Sequence, residues 1–173
     1  MSLGVTLIGV GNPWRRDDGV GWAVVAAASR RLGQRTAVVE TDGEPSRLID
    51  AWTGIDLAVV VDAVTSGAEP GTIHIWRDEA DIAGDSRSGS SHALGIADAI
   101  ALGRAVQRLP RRLVVVGIEV QETSPGDGLS PPVAANVERA ADLIAEIVAQ
   151  WKEDPTAQAG SRATSSGVPG SSV

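Results

Sequence analysis

Residues 56–64 read DLAVVVDAV. Apart from its two aspartates the run is aliphatic, with no alternation of polar and apolar positions. Such continuity marks a strand covered on both faces, the condition of a parallel sheet packed between helices. VTLIGV at 5–10 and RLVVVGIEV at 112–120 read the same way, and residues 36–40 give a further strand. Between and after them lie segments of helical length: GWAVVAAASRRL at 21–32, Pro45–Trp52, 91–107 and a long final stretch at 132–151. Ser90 or Ser91 is placed to cap the third of these. Strands separated by helices predict a three-layer α/β/α sandwich with a mixed, mostly parallel central sheet of about five strands. The mixed character comes from TIHIW at 72–76. It follows 56–64 too closely for a helical crossover, which predicts that these two strands pair antiparallel.

The 173 residues suit one domain, expected over residues 1–153. Residues 154–173, DPTAQAGSRATSSGVPGSSV, are small, polar and without period, and read as a flexible tail. The core must be aliphatic, because there is no Phe or Tyr and all aromatic residues are Trp. Cysteine is absent, which excludes disulfides, zinc-thiolate sites and a cysteine nucleophile. No apolar stretch approaches the roughly 20 residues that span a bilayer, and the start lacks the basic region of a secretory signal. A net charge of −7 without a dense basic block argues against a nucleic-acid partner. Lys152 is the sole lysine, so positive charge is carried by arginine, which suits carboxylate contacts on a protein or peptide partner.

Acidic residues follow the ends of successive hydrophobic runs: Asp17 and Asp18 after the first, Asp42 after the second, Asp62 in the third. In an open α/β sheet, functional groups collect at the carboxyl ends of the strands. With two histidines in the chain, a metal or proton-transfer site must draw heavily on carboxylates. Asp18 either caps the helix that follows or presents an oxygen to a cation, while Asp17 reads as a solvated loop charge unless it too is functional. A carboxylate leaving the core at Asp62 needs hydration, a hydrogen bond or a cation, with capping of the next turn as the alternative. Asp42, in TDGEP, reads equally as a turn residue and as a functional carboxylate. His92 opens a helix, where neutral imidazole is favoured, the form that ligates metal, or else it is polar decoration of that terminus. His74, inside a strand pattern, reads as structural.

Familiar catalytic motifs are missing. The glycines of GVGNPWRRDDGVG at 9–21 do not follow GxGxxG, no GxxxxGK is present, and two aspartates at this helix start would repel a pyrophosphate. Neither HExxH nor a calcium-loop pattern occurs, and Ser90 and Ser91 lack a GxSxG elbow. ETSPGDGLSPPV at 122–133 reads as a shaped loop able to bound a peptide groove.

Taken in order, GVGNPWRRDDGVG, DGEPS, VVVDAV, SSHALGIADAI and GIEVQETSPGDGLSPPV resemble the hydrogenase maturation endopeptidase family across roughly residues 5–151. The resemblance implies a processing protease that removes a short C-terminal extension from the large-subunit precursor of a nickel-iron hydrogenase after nickel insertion. It assigns metal ligation to Asp18, Asp62 and His92 and a supporting catalytic position to Asp42. Asp18 stands where some members carry Glu, keeping the charge with a shorter reach. The nickel is implied to arrive with the precursor, with no nucleotide or organic cofactor. The expected partner is that precursor, with no nucleic acid and no membrane insertion, for a cytoplasmic monomer. LIGVGNPWRRDDGVG also resembles the opening of peptidyl-tRNA hydrolase, but Asp17 and Asp18 replace the Arg-His feature of that family. A metal-sensing chaperone that reads nickel without cutting is the remaining alternative.

Overall fold

The computed structural model describes residues 4–84 and 93–156. Its order is β1 (Val5–Val10), a 3-10 turn (Arg16–Gly19), α1 (Val20–Leu32), β2 (Ala37–Thr41), α2 (Pro45–Trp52), β3 (Leu57–Val64), β4 (Ile73–Trp76), α3 (Glu79–Gly84), α4 (Ala93–Ala105), β5 (Arg112–Glu119), α5 (Pro131–Ala134) and α6 (Val137–Glu153). The five strands form one sheet ordered β2-β1-β3-β5-β4. All pairs are parallel except β4 with β5. Helices α1 and α6 cover one face, and α2 and α4 the other. The expected three-layer sandwich with a mixed, mostly parallel five-stranded sheet is the fold observed.

The aliphatic composition is met by two separate cores. Leu7, Val59, Val61, Val114, Val116 and Ile118 point to the α1/α6 side. Ile8, Val10, Ala58, Val60, Leu113 and Val115 point to the α2/α4 side, where Trp52 is fully buried. Successive side chains of β3 go to opposite sides, and both sides meet helices, which is why the strand is aliphatic on both faces except at Asp62.

Two expectations are corrected. Strand β4 runs antiparallel, but its partner is β5 and not β3. The Ser66–Thr72 connection crosses the end of β5 and is tied down there by Glu119. The Glu119 carboxylate accepts from the Ser66 amide (2.7 Å), the Ser66 hydroxyl (2.8 Å) and the Gly67 amide (2.9 Å). Its backbone accepts from the Gly71 amide and donates to the Thr72 carbonyl, each at 2.8 Å. The final helical stretch is also two helices. The α5 turn ends at Ala134, and Asn136 bonds back from Nδ2 to the Pro132 carbonyl at 2.9 Å, after which α6 restarts. Gly71 packs against that joint: a Cβ there would lie 2.5 Å from the Pro132 carbonyl oxygen.

Ser90 and Ser91, expected caps of α4, lie outside the described residues, as does residue 157 onward of the expected tail. Among the described residues no helix is long and apolar enough to cross a membrane.

Candidate functional site at the carboxyl edge of the sheet

Strand β1 connects to β2 on one side and the chain then returns past β1 to β3, so the direction of winding reverses between β1 and β3. At such a reversal the flanking loops diverge and leave a crevice beyond the strand ends. Asp18 follows β1, and Asp62 lies near the end of β3, opposite Gly117 of β5. The two expected carboxylates therefore flank the same switch point.

Small residues bring the elements this close. A Cβ on Gly21, in the first turn of α1, would sit 2.4 Å from the Val61 carbonyl oxygen and 2.5 Å from that of Val10. One on Gly11, at φ 138°, would fall 1.9 Å from the Asp18 carbonyl oxygen. The chain can therefore turn tightly after β1 and seat the 3-10 turn against β3.

Asp18 is 7% exposed, and its Oδ2 accepts from the Asn12 amide at 3.0 Å. The N-cap position of α1 is Gly19, which has no side chain of its own to bond the first turn. Asp17 is not a solvated charge but fully buried. Its carboxylate accepts from the Ser130 amide (2.6 Å), the Ser130 hydroxyl (2.8 Å), and the Glu122 (3.1 Å) and Gln121 (3.3 Å) amides. Asp17 thus clamps the 121–130 loop onto the acidic turn and fixes its neighbour Asp18. The partners lie more than a hundred residues away in sequence, which no local pattern reveals.

Asp62 is 1% exposed. Alternation puts it on the same side as Val60, the α2/α4 side, and in one cross-sheet row with Gly117 and His74. His74 stacks on Trp76 with ring centroids 5.6 Å apart, and its Nε2 lies 3.3 Å from Glu119 Oε2. Glu119, 1% exposed, is a further buried carboxylate at the same edge and was not singled out from sequence. A charged residue closing the apolar run RLVVVGIE is the signal that marks it, as the same signal marks Asp62.

Asp42 is exposed and does the work of a turn residue. Its Oδ1 accepts from the Glu44 amide at 3.2 Å, and Oδ2 meets Arg47 Nη1 at 2.9 Å. The Glu44 amide first, and the Arg47 charge after the opposing effect of desolvation, hold its carboxyl below the ordinary aspartate value. The turn reaches across to α4, because a Cβ on Gly95 would lie 2.5 Å from the Gly43 carbonyl oxygen. His92 lies outside the described residues, one position before α4 begins. Among the described residues no group of three or more His, Cys, Asp or Glu is placed to hold a metal ion. Asp18 and Asp62 are the described members of the expected ligand set.

A doubly wound α/β domain with buried carboxylates at the switch point defines a class in which chemistry sits beyond the strand ends. Residues 23–147 match the family model described as hydrogenase maturation protease. The hydrogenase 2 maturation protease of Escherichia coli K12 is 31% identical over 143 residues, covering 81% of this chain and 87% of that protein. Among solved structures, the hydrogenase maturating endopeptidase HybD from E. coli superposes with a TM-score of 0.72 at 27% identity, covering 87% of this chain and 93% of that one. The HybD maturation protease of Thermococcus kodakarensis has the same fold, with a TM-score of 0.70 at 24% identity over 84% of this chain and 99% of that one. The chain belongs to the hydrogenase maturation protease family, and its activity is that of an endopeptidase in hydrogenase maturation. Between the two enzyme resemblances of the opening strand, this decides against peptidyl-tRNA hydrolase. Asp42, Asp62 and His92 fall within the matched stretch, and Asp18 precedes it.

Proposed function

We propose that this endopeptidase removes the C-terminal extension of a nickel-iron hydrogenase large-subunit precursor, and that it recognises nickel carried by that substrate through Asp18, Asp62 and His92. The observation that carries the reading is the pair of buried carboxylates, Asp18 and Asp62, on either side of the β1/β3 switch point. Two carboxylates at the strand ends bring acceptor oxygens and negative charge to the crevice between the diverging loops, which suits a cationic substrate group. His92 joins the set through the family resemblance of SSHALGIADAI, the stretch that leads into α4.

Nickel in this reading is cargo of the precursor. Docked against oxygen and imidazole donors, it would set the position of the neighbouring scissile peptide. Water then adds to the scissile carbonyl carbon, the C–N bond breaks, and the proton lost by water passes to the leaving amine. An acidic side chain at this edge serves as the relay, with Asp42 supporting from the adjoining turn. The metal dependence of cleavage follows from substrate recognition and needs no resident ion.

The test is cleavage of nickel-loaded precursor by Asp18→Ala, Asp62→Ala and His92→Ala variants whose folded state is verified by circular dichroism. Each is expected to lose at least about a hundredfold in rate, the scale of a mispositioned reacting group. Unchanged cleavage by all three would reject the site.

A further inference from the structure

Trp14 is 71% exposed, while Trp52 of the same chain is fully buried. Nor is Trp14 on a loose excursion. Its amide donates to Asn12 Oδ1 at 2.9 Å, and its carbonyl accepts from the Gly126 amide at 2.9 Å. Just after it, the Arg16 amide donates to the Gly126 carbonyl at 3.0 Å, the Asp17 amide to the Glu122 carbonyl at 2.9 Å, and Arg15 Nε to the Thr123 carbonyl at 3.1 Å. The Arg16 guanidinium lies over Gly126, within 3.0 Å of where a Cβ would stand. Arg16 adopts φ 48°, a left-handed conformation unfavourable for a side chain of its size.

The 12–16 and 122–126 segments are thus zipped together beneath an outward-facing tryptophan flanked by two exposed arginines. A large apolar ring held in water by an ordered backbone contributes nothing to this chain's cores. Tryptophan and arginine are the residue types that dominate binding energy at interfaces, and a preformed backbone lowers the ordering cost of association. The loop is also continuous with the candidate site: the Asn12 amide, two residues before Trp14, is held by the Asp18 carboxylate.

We infer that Trp14, with Arg15 and Arg16, is the anchor on which the precursor polypeptide docks, through a segment that offers an apolar pocket rimmed by carboxylates. The occupant follows from the functional reading above, on which this inference rests. A substrate that brings its scissile bond to Asp18 comes beside this loop, which Asp18 itself holds through Asn12, and two guanidiniums favour carboxylates at its rim.

The affinity of labelled, nickel-loaded precursor for the full-length protein is measured by fluorescence anisotropy for wild type, Trp14→Ala and Trp14→Phe, beside their melting temperatures. Trp14→Ala should weaken binding by roughly tenfold or more, with Trp14→Phe recovering most of the loss and both melting points unchanged. In cleavage assays the loss should fall on KM more than on kcat. Unchanged affinity in Trp14→Ala, or a loss that tracks a lowered melting point, overturns the docking role. Because affinity is read on uncleaved precursor, failure of wild type to cut would sink the functional reading without deciding this one.

Discussion

Adjacent aspartates with opposite duties form the acidic turn. Asp17 faces inward and takes four donors from the 121–130 loop, while Asp18 sits at the crevice with one backbone amide on its Oδ2. Removing the inner one takes the shared acceptor from four donors that are only partly reached by water. Asp17→Ala should therefore cost about 3 kcal/mol in urea denaturation, and Asp17→Asn about half of that, because one oxygen remains. A loss below about 0.5 kcal/mol would show that the loop holds its place without the clamp. Asp42 permits a pH prediction. Its folded value is depressed, first by the Glu44 amide, so it binds its proton more weakly folded than unfolded. The stability it contributes is present above its unfolded value, near pH 3.9, and is lost as pH falls through the lower folded one. NMR titration should find its carboxyl below the ordinary value and Asp42→Asn should flatten that part of the acid profile; an ordinary midpoint would contradict the turn geometry. At this scale, the burial of a carboxylate at Asp62 was legible, because a charge within the apolar run LAVVVDAV has few explanations. Asp17 was not, since its meaning lies in a loop more than a hundred residues away.

Among the elements, glycines decide how closely the acidic turn, β3 and α4 approach. Gly21→Ala places a methyl 2.4 Å from the Val61 carbonyl, a clash with backbone that no side-chain rotation relieves. It should cost roughly 3 kcal/mol or more, read by thermal melts, and a neutral outcome would mean that α1 is seated less tightly on the strand ends than described. Gly95→Ala presses instead on the Gly43 carbonyl, where α4 meets the Asp42 turn. If α4 delivers His92 to the site, this variant should lose about tenfold or more in precursor cleavage, out of proportion to its loss of stability. Equal activity per folded molecule would separate α4 from the chemistry. The strands and long helices were readable because unbroken aliphatic runs and helix-length apolar segments left little choice. The partner of β4 was not, because proximity in sequence favoured β3, while Glu119 pins the connecting loop across the end of β5 and lets that strand intervene. The break between α5 and α6 depends on Gly71 and Asn136 meeting in space, which helical composition alone does not register.

For the whole molecule, the sheet order gathers at one edge what the sequence disperses. The same edge holds the acidic turn after β1, Asp42 after β2, Asp62 in β3 and Glu119 in β5, with the anchored Trp14 loop beside them. The net charge of −7 leaves the protein without a general attraction for nucleic acid, and its exposed arginines beside Trp14 are local exceptions suited to a carboxylate-bearing polypeptide. Recognition of substrate nickel by this edge would tie cutting to completion of the metal centre, since a precursor without the ion lacks the group that aligns its scissile bond. Intact-mass spectrometry of matched nickel-loaded and nickel-free precursor after incubation with the full chain tests this directly. The account predicts that the loaded precursor alone loses the mass of its C-terminal extension; equal shortening of both, or of neither while a related maturation protease cuts the loaded form, would contradict it.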